Sequence, residues 1–145
     1  MIKIFLILLF LIISNNASSA IKGQALICDK DRRGYYFISN KKVEVLGINF
    51  VSLNITSISH LYELTDSTIF IKKLLKEFPE EKTRPIGWIF RRSLDYVSLD
   101  YVNGDWNRKF LWSCEITSLD QLDKRLKNKI DQLIKASGNK IKEFY

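Results

Sequence analysis

The sequence predicts a mainly β protein with one C-terminal helix (α+β): an antiparallel meander whose strongly curled sheet or small barrel is covered by an amphipathic helix. Three observations lead there. From Ala25 to Ile116 apolar residues recur with a period of two, in short runs separated by turn residues. After Ser118 the period becomes that of a helix. The only two cysteines, Cys28 and Cys114, fall in the first and last strand-like runs. A bridge between them suits a curled or closed sheet, in which first and last strands become neighbours. An open sheet with the helix laid across it is the alternative.

Ahead of the strands, Met1 to Ala20 reads as a cleavable export signal. Lys3 supplies its positive start, Ile4 to Ile13 is unbroken apolar, and Ser14 to Ala20 turns small and polar, ending in a Ser18-Ser19-Ala20 cleavage site. The apolar run is about ten residues, against about 18 or more for a membrane-spanning helix, so the mature chain is expected to have no transmembrane segment. Lipidation at Cys28 is disfavoured, because Ile27 is too large for the position before a lipid-bearing cysteine. The expected location is therefore the periplasm or the exterior. In that oxidising setting Cys28 and Cys114 are expected to pair as a structural disulfide.

What remains of the 145 residues after Ala20 is one domain's worth of chain. Residues 21–117 form the β domain, and residues 118–145 form a helix and tail packed on it. Leu26-Ile27-Cys28 begins the first strand, and Asp29 to Arg33 is a charged turn. Tyr35-Tyr36-Phe37-Ile38 and Val43-Glu44-Val45-Leu46 make a hairpin about Ser39-Asn40-Lys41, with Asn40 suited to a left-handed conformation. The β-branched stretch Ile48 to Ile58 is extended, without a readable register. Leu61 to Leu64 and Thr68 to Ile71 make a second hairpin. Charges around Pro79, from Lys72 to Arg84, mark an insertion or mobile loop. Ile86 to Phe90 and Tyr96 to Val102 flank an Arg91-Arg92-Ser93 turn, and Asn103-Gly104 suits a type I′ turn into the long last strand, Trp106 to Ile116. Ser118 and Gln121 form a capping box. Leu119, Leu122, Leu126, Ile130, Leu133 and Ile134 then give the apolar stripe of a helix ending at Gly138-Asn139.

The chain carries a net charge of +7, one unit of it on Lys3. A basic balance admits a protein or an anionic envelope component as partner. Lys outnumbers Arg 16 to 7, whereas a phosphate-reading surface favours the arginine fork, so no specific nucleic-acid binding is expected. No metal or cofactor is expected either. His60 is the sole histidine, the cysteines are taken by their bridge, and Asp29 and Asp31 lack the spacing of a calcium loop. No serine or cysteine elbow accompanies His60, so it reads as structural. Asp95, Asp100 and Asp105 read as the solvated face and turn ends of a hairpin, more readily than as a glycosidase carboxylate pair. No catalytic residue is assigned. The Asn54-Ile55-Thr56 glycosylation triplet is too common by chance to carry weight.

Aromatic residues concentrate between Trp88 and Trp112. They read first as the core of a small sheet. If the sheet curls, Trp88, Trp106 and Trp112 line a ligand pocket, with Arg91 and Arg108 orienting an anionic group. In a regular strand Trp106, Phe110 and Trp112 share one face.

The layout of cysteine in the first strand, Gly34-Tyr35-Tyr36-Phe37 in one hairpin, Ile89-Phe90-Arg91-Arg92-Ser93-Leu94 in another and cysteine in the last strand resembles uncharacterised small exported β-rich proteins of marine bacteria and their phages. The resemblance spans about Leu26 to Ile116. It implies a compact disulfide-linked β domain and transfers no activity. The functional reading is a small exported binding or interaction domain; the alternatives are an envelope-associated structural or inhibitor protein, and a secreted hydrolase.

Overall fold

The computed structural model describes residues 21–73, 85–102 and 105–142. The expected export signal, most of the expected loop about Pro79 and the expected Asn103-Gly104 turn lie outside the described residues. Eight strands follow in chain order: β1 (Ala25–Cys28), β2 (Arg33–Phe37), β3 (Lys42–Asn49), β4 (Asn54–Leu64), β5 (Thr68–Lys73), β6 (Pro85–Phe90), β7 (Asp95–Val102) and β8 (Asp105–Thr117). The helix α1 (Leu119–Lys142) comes last. Each strand pairs antiparallel with its sequence neighbour, and β8 returns to β1, so the meander is a closed barrel.

Closure runs through four residue pairs: Ala25 with Thr117, Leu26 with Ile116, Ile27 with Glu115 and Cys28 with Cys114. The last pair is also the expected disulfide, its Cα atoms 4.1 Å apart. That separation is the close approach of a non-hydrogen-bonded antiparallel pair, where side chains stand nearest.

Side chains alternate across each strand, and cross-strand partners share a face, so closure sorts the apolar residues into two sets. Leu26, Cys28, Tyr35, Phe37, Val43, Tyr62, Ile69, Ile71, Ile89, Tyr96 and Cys114 form the buried interior. Eight strands enclose a space that side chains can fill, and aromatic rings fill much of this one. Phe37 meets Tyr62 edge-on at 5.0 Å between centroids, and Tyr96 lies between Tyr35 at 5.5 Å and Trp112, stacked at 4.6 Å. Gly87 makes room for this column, because a Cβ there would fall on the Tyr96 hydroxyl and 2.6 Å from the Val97 carbonyl.

The alternate residues Ala25, Ile27 and Ile48 face outward and are buried by Leu122 and Leu126 of α1, with Leu46, Ile55, Ile130 and Leu133 packed around them. The helix therefore covers the outer face of β1 to β4 rather than an open end. Gly34 lets it come close: a Cβ at that position would collide with the Leu122 methyl groups. The Gln121 amide donates to Ser118 Oγ at 3.3 Å, as the capping box requires. The helix does not stop at Gly138 but continues to Lys142. A helical glycine costs about 1 kcal/mol relative to alanine, which alone does not end a helix, and no proline follows.

Two turns differ from expectation. The stretch read as extended from Ile48 to Ile58 holds a hairpin turn over residues 50–53, and β4 then runs unbroken to Leu64. Asn49 Oδ1 accepts from the amides of Val51 at 2.9 Å and Ser52 at 3.2 Å, and Leu53 takes φ +50. In the preceding hairpin Ser39 shapes the turn, its Oγ accepting from the amides of Lys41 and Lys42. Asn40 is not among the residues with positive φ.

The bridge joins residues 86 apart. In the chain-entropy model a loop of that size is worth about 4–5 kcal/mol, so Cys28→Ala/Cys114→Ala should lose that much in urea unfolding. Adding dithiothreitol should destabilise the parent chain and leave the double variant unchanged. Gly34→Ala should cost about 1–3 kcal/mol by overpacking, and Leu122→Ala should relieve much of that penalty in a double-mutant cycle.

Candidate functional site

Among the described residues α1 lies over β1 to β4, and no described helix covers the outer face of β5 to β8. With Ile71, Ile89 and Tyr96 pointing inward, their alternates point out. Register aligns four of these as cross-strand neighbours: Phe70 on β5, Trp88 on β6, Val97 on β7 and Leu111 on β8. Phe90, the next outward residue of β6, meets Trp88 edge-on at 6.4 Å. Val97 in the middle of the row is buried, while Phe90 and Leu111 are 37% and 72% exposed. The result is a continuous apolar strip across four strands.

An irregularity in β8 places a cation on this strip. Val97 pairs with Leu111 but Leu99 pairs with Arg108, so β8 holds one residue more than β7 between these pairs. That bulge puts Arg108 on the outward face, its guanidinium 5.9 Å from the Trp88 ring centre. It also removes the shared parity expected of Trp106, Phe110 and Trp112, whose premise was a regular strand.

The five residues of the expected pocket are accordingly not brought together. Trp88 and Arg108 are neighbours on the outer face. Trp112 is inside the barrel, stacked on Tyr96, with the Arg33 guanidinium 5.0 Å from its ring centre. Arg91 Nη1 donates to the Thr65 carbonyl at 2.9 Å, tying the β6–β7 turn to the β4–β5 turn. Trp106 pairs with Tyr101 in the β7–β8 ladder, and its side chain lies outside the described residues.

Where β8 meets α1, a groove of about 470 Å³ opens beside the strip, and Leu111 lines both. One wall is the β1–β2 turn, in which Asp29, Lys30 and Asp31 all take positive φ, at 52°, 52° and 67°. Such a run costs about 1–2 kcal/mol per residue for ordinary side chains, aspartate tolerating it best. Arg125 holds the turn from the helix. Its Nη2 and Nε donate to the two carboxylate oxygens of Asp31 at 2.6 and 3.2 Å, and its Nη1 donates to Glu115 at 2.8 Å. These bonds raise the Arg125 pKa above its ordinary value. Asp31 is thus engaged by a guanidinium, and the groove is bounded by a closed ion-pair cluster.

Of the remaining candidates, His60 stands apart from both surfaces. His60 alternates inward on β4, opposite Val43 and Lys73. Burial lowers its pKa, opposed by a hydrogen bond to the Lys72 backbone and reinforced by the Lys73 charge. Its Nδ1 is buried without a hydrogen-bond partner among the described residues. Asp95 accepts from Ser113 Oγ at 2.9 Å on the outer face, and the side chains of Asp100 and Asp105 lie outside the described residues. Among the tyrosines, Tyr35 is pushed well up, first by burial and then by neighbouring Tyr96, and burial likewise raises Tyr96.

Comparison with models of protein families, with curated proteins and with solved structures finds no match.

A lowered His60 pKa has a definite sign in stability. The folded chain keeps His60 neutral, while the unfolded chain takes up a proton with a pKa of about 6.5. Stability is therefore complete above about pH 6.5 and is lost as pH falls through the folded pKa. The urea midpoint should drop as pH falls below about 6.5, and His60→Gln should flatten that slope. At the alkaline end, raised pKa values for Tyr35 and Tyr96 give stability present below about pH 10 and lost as pH rises above it. Tyrosine absorbance during alkaline titration should therefore show a late phase that coincides with unfolding, and Tyr35→Phe should diminish it.

Proposed function

We propose that this chain is a small exported binding domain that engages a protein partner through the outer face of β5 to β8. The observation that carries the reading is the strip Phe70, Trp88, Val97 and Leu111, flanked by Phe90, on the half of the barrel that α1 does not cover. An apolar row with exposed members, here Phe90 and Leu111, is the kind of surface that marks interaction sites. The fold offers its own comparison. On β1 to β3 the outward apolar residues Ala25, Ile27 and Ile48 are buried by an apolar helix face, and a partner burying the β5 to β8 strip does the same from outside.

The polarity of the barrel supports a protein partner over a spanning role in a membrane. Membrane barrels have polar interiors and strands of about nine to eleven residues, whereas this interior is apolar and β1 and β2 have four and five residues. Export is supported by the signal pattern of Met1 to Ala20 and by a disulfide that suits an oxidising compartment.

The test is site-specific photo-crosslinking in envelope extract of the native host. With Leu111→benzoylphenylalanine, illumination should give a protein adduct of discrete mass, while the same substitution at Lys127, exposed on α1, should give none. No adduct at position 111, or equal adducts at both positions, would overturn the reading.

A further inference from the structure

We infer that the partner presents an acidic, apolar segment, its hydrophobic side chains on the Trp88–Phe90–Leu111 strip and its carboxylates on Arg92 and Arg108. The inference rests on the binding reading above and names the chemistry of its partner. It is drawn from how the cations are distributed. The chain has only seven arginines against sixteen lysines. Two of those arginines, Arg91 and Arg92, directly follow Phe90 at the end of β6, and a third, Arg108, lies over Trp88. On the helix the order is reversed: Lys124, Lys127, Lys129 and Lys135 accompany the single Arg125.

Three of the described cations are held in ion pairs. Lys72, Arg125 and Lys127 each have a carboxylate, on Glu63, Asp31 with Glu115, and Asp123 respectively. Arg92 and Arg108 are exposed and have no carboxylate partner among the described residues. Of the described carboxylates on this side, Glu63 is paired with Lys72 and Glu115 with Arg125, while Asp95 accepts from the Ser113 hydroxyl and Asp66 is exposed on the β4–β5 turn. Arg92 and Arg108 therefore present guanidinium groups that no described carboxylate holds.

Arginine beside aromatics is the composition of a protein interface, where lysine is depleted. Its planar guanidinium stacks on rings, is weakly hydrated and binds carboxylates with two parallel bonds. The bulge that turns Arg108 onto Trp88 places one fork over that ring. Arg92 lies in the β6–β7 turn, two residues after Phe90, so two arginines accompany the Trp88–Phe90 ring pair. A segment with two carboxylates can engage both. An anionic lipid surface offers negative charge as well, but the exposed apolar residues here are few, Phe90 and Leu111, with Val97 between the strands buried, which is little apolar surface to enter a bilayer.

The experiment repeats the Leu111→benzoylphenylalanine cross-link in two further backgrounds, Arg92→Glu/Arg108→Glu and Arg92→Lys/Arg108→Lys, with urea midpoints confirming that both fold. Adduct yield should fall about tenfold or more with glutamate and be partly kept with lysine. The yield from the parent chain should also fall as salt rises from about 50 to 500 mM. Mass spectrometry of the adduct should locate the cross-link in a segment with at least two carboxylates and more Asp and Glu than Lys and Arg. Undiminished yield in the glutamate background, or a neutral or basic cross-linked segment, overturns the inference while leaving the binding face standing. Absence of an adduct in every background removes the binding face itself. Co-sedimentation with phosphatidylglycerol vesicles that is lost in Phe90→Ser, without any protein adduct, replaces the acidic segment by lipid and overturns both.

Discussion

Closure of β1 onto β8 is the constraint from which the rest of this molecule follows. A curled but open meander would leave two edges of unpaired backbone groups and no firm distinction between inside and outside. Four residue pairs and one disulfide remove that freedom. Once the ring is shut, every strand contributes one row of side chains to a space of fixed width and one row to the exterior. The inward row is an aromatic and aliphatic column running from Phe37 and Tyr62 to Tyr96 and Trp112. Of the outward row, α1 covers the part on β1 to β4.

That division gives the two halves of the exterior different characters. Under the helix, contact is close enough to require glycine at position 34, and the ion pairs of Arg125 fasten the helix to β8 and to the β1–β2 turn. Away from the helix the outward apolar residues include Phe70, Trp88 and Phe90, and Arg108 lies over the Trp88 ring. The bulge in β8 belongs to this second half: a single additional residue re-aims Arg108 onto Trp88. The groove bounded by Asp31, Glu115 and Arg125 lies at the seam between the halves.

Much of the fold was legible in the sequence because its signals are local or of simple period. Strand alternation, the Ser118 cap, the leucine stripe of α1 and the pairing of the only two cysteines each have a short-range physical cause. The hairpin turn after Asn49 was hidden because its tip, Phe50-Val51-Ser52-Leu53, holds no glycine or proline, and a single asparagine side chain organises it. The candidate site was less legible. The aromatic concentration between Trp88 and Trp112 was visible, yet one extra residue in β8 decides which rings share a face, and no composition reveals that. The bond between Asp31 and Arg125 joins residues 94 apart and has no local signature at all. Phe70 and Leu111 enter the strip only through register, which the alternation of each strand does not specify relative to its neighbours.

The same closure has a consequence in time. Each hairpin of the meander joins near neighbours in the chain, but the β1–β8 seam joins residues 86 apart and has to form against the entropy of the whole intervening loop. Topologies dominated by such distant contacts fold slowly, on the scale of milliseconds to seconds. Until the seam forms, β1 and β8 are open edges, able to pair with another chain as readily as with each other. β1 is only four residues long, which makes it a poor template for such mispairing. Oxidation of Cys28 and Cys114 then ends the exposed interval by making the seam covalent, so the newly made chain is most vulnerable in the moments before its two cysteines meet.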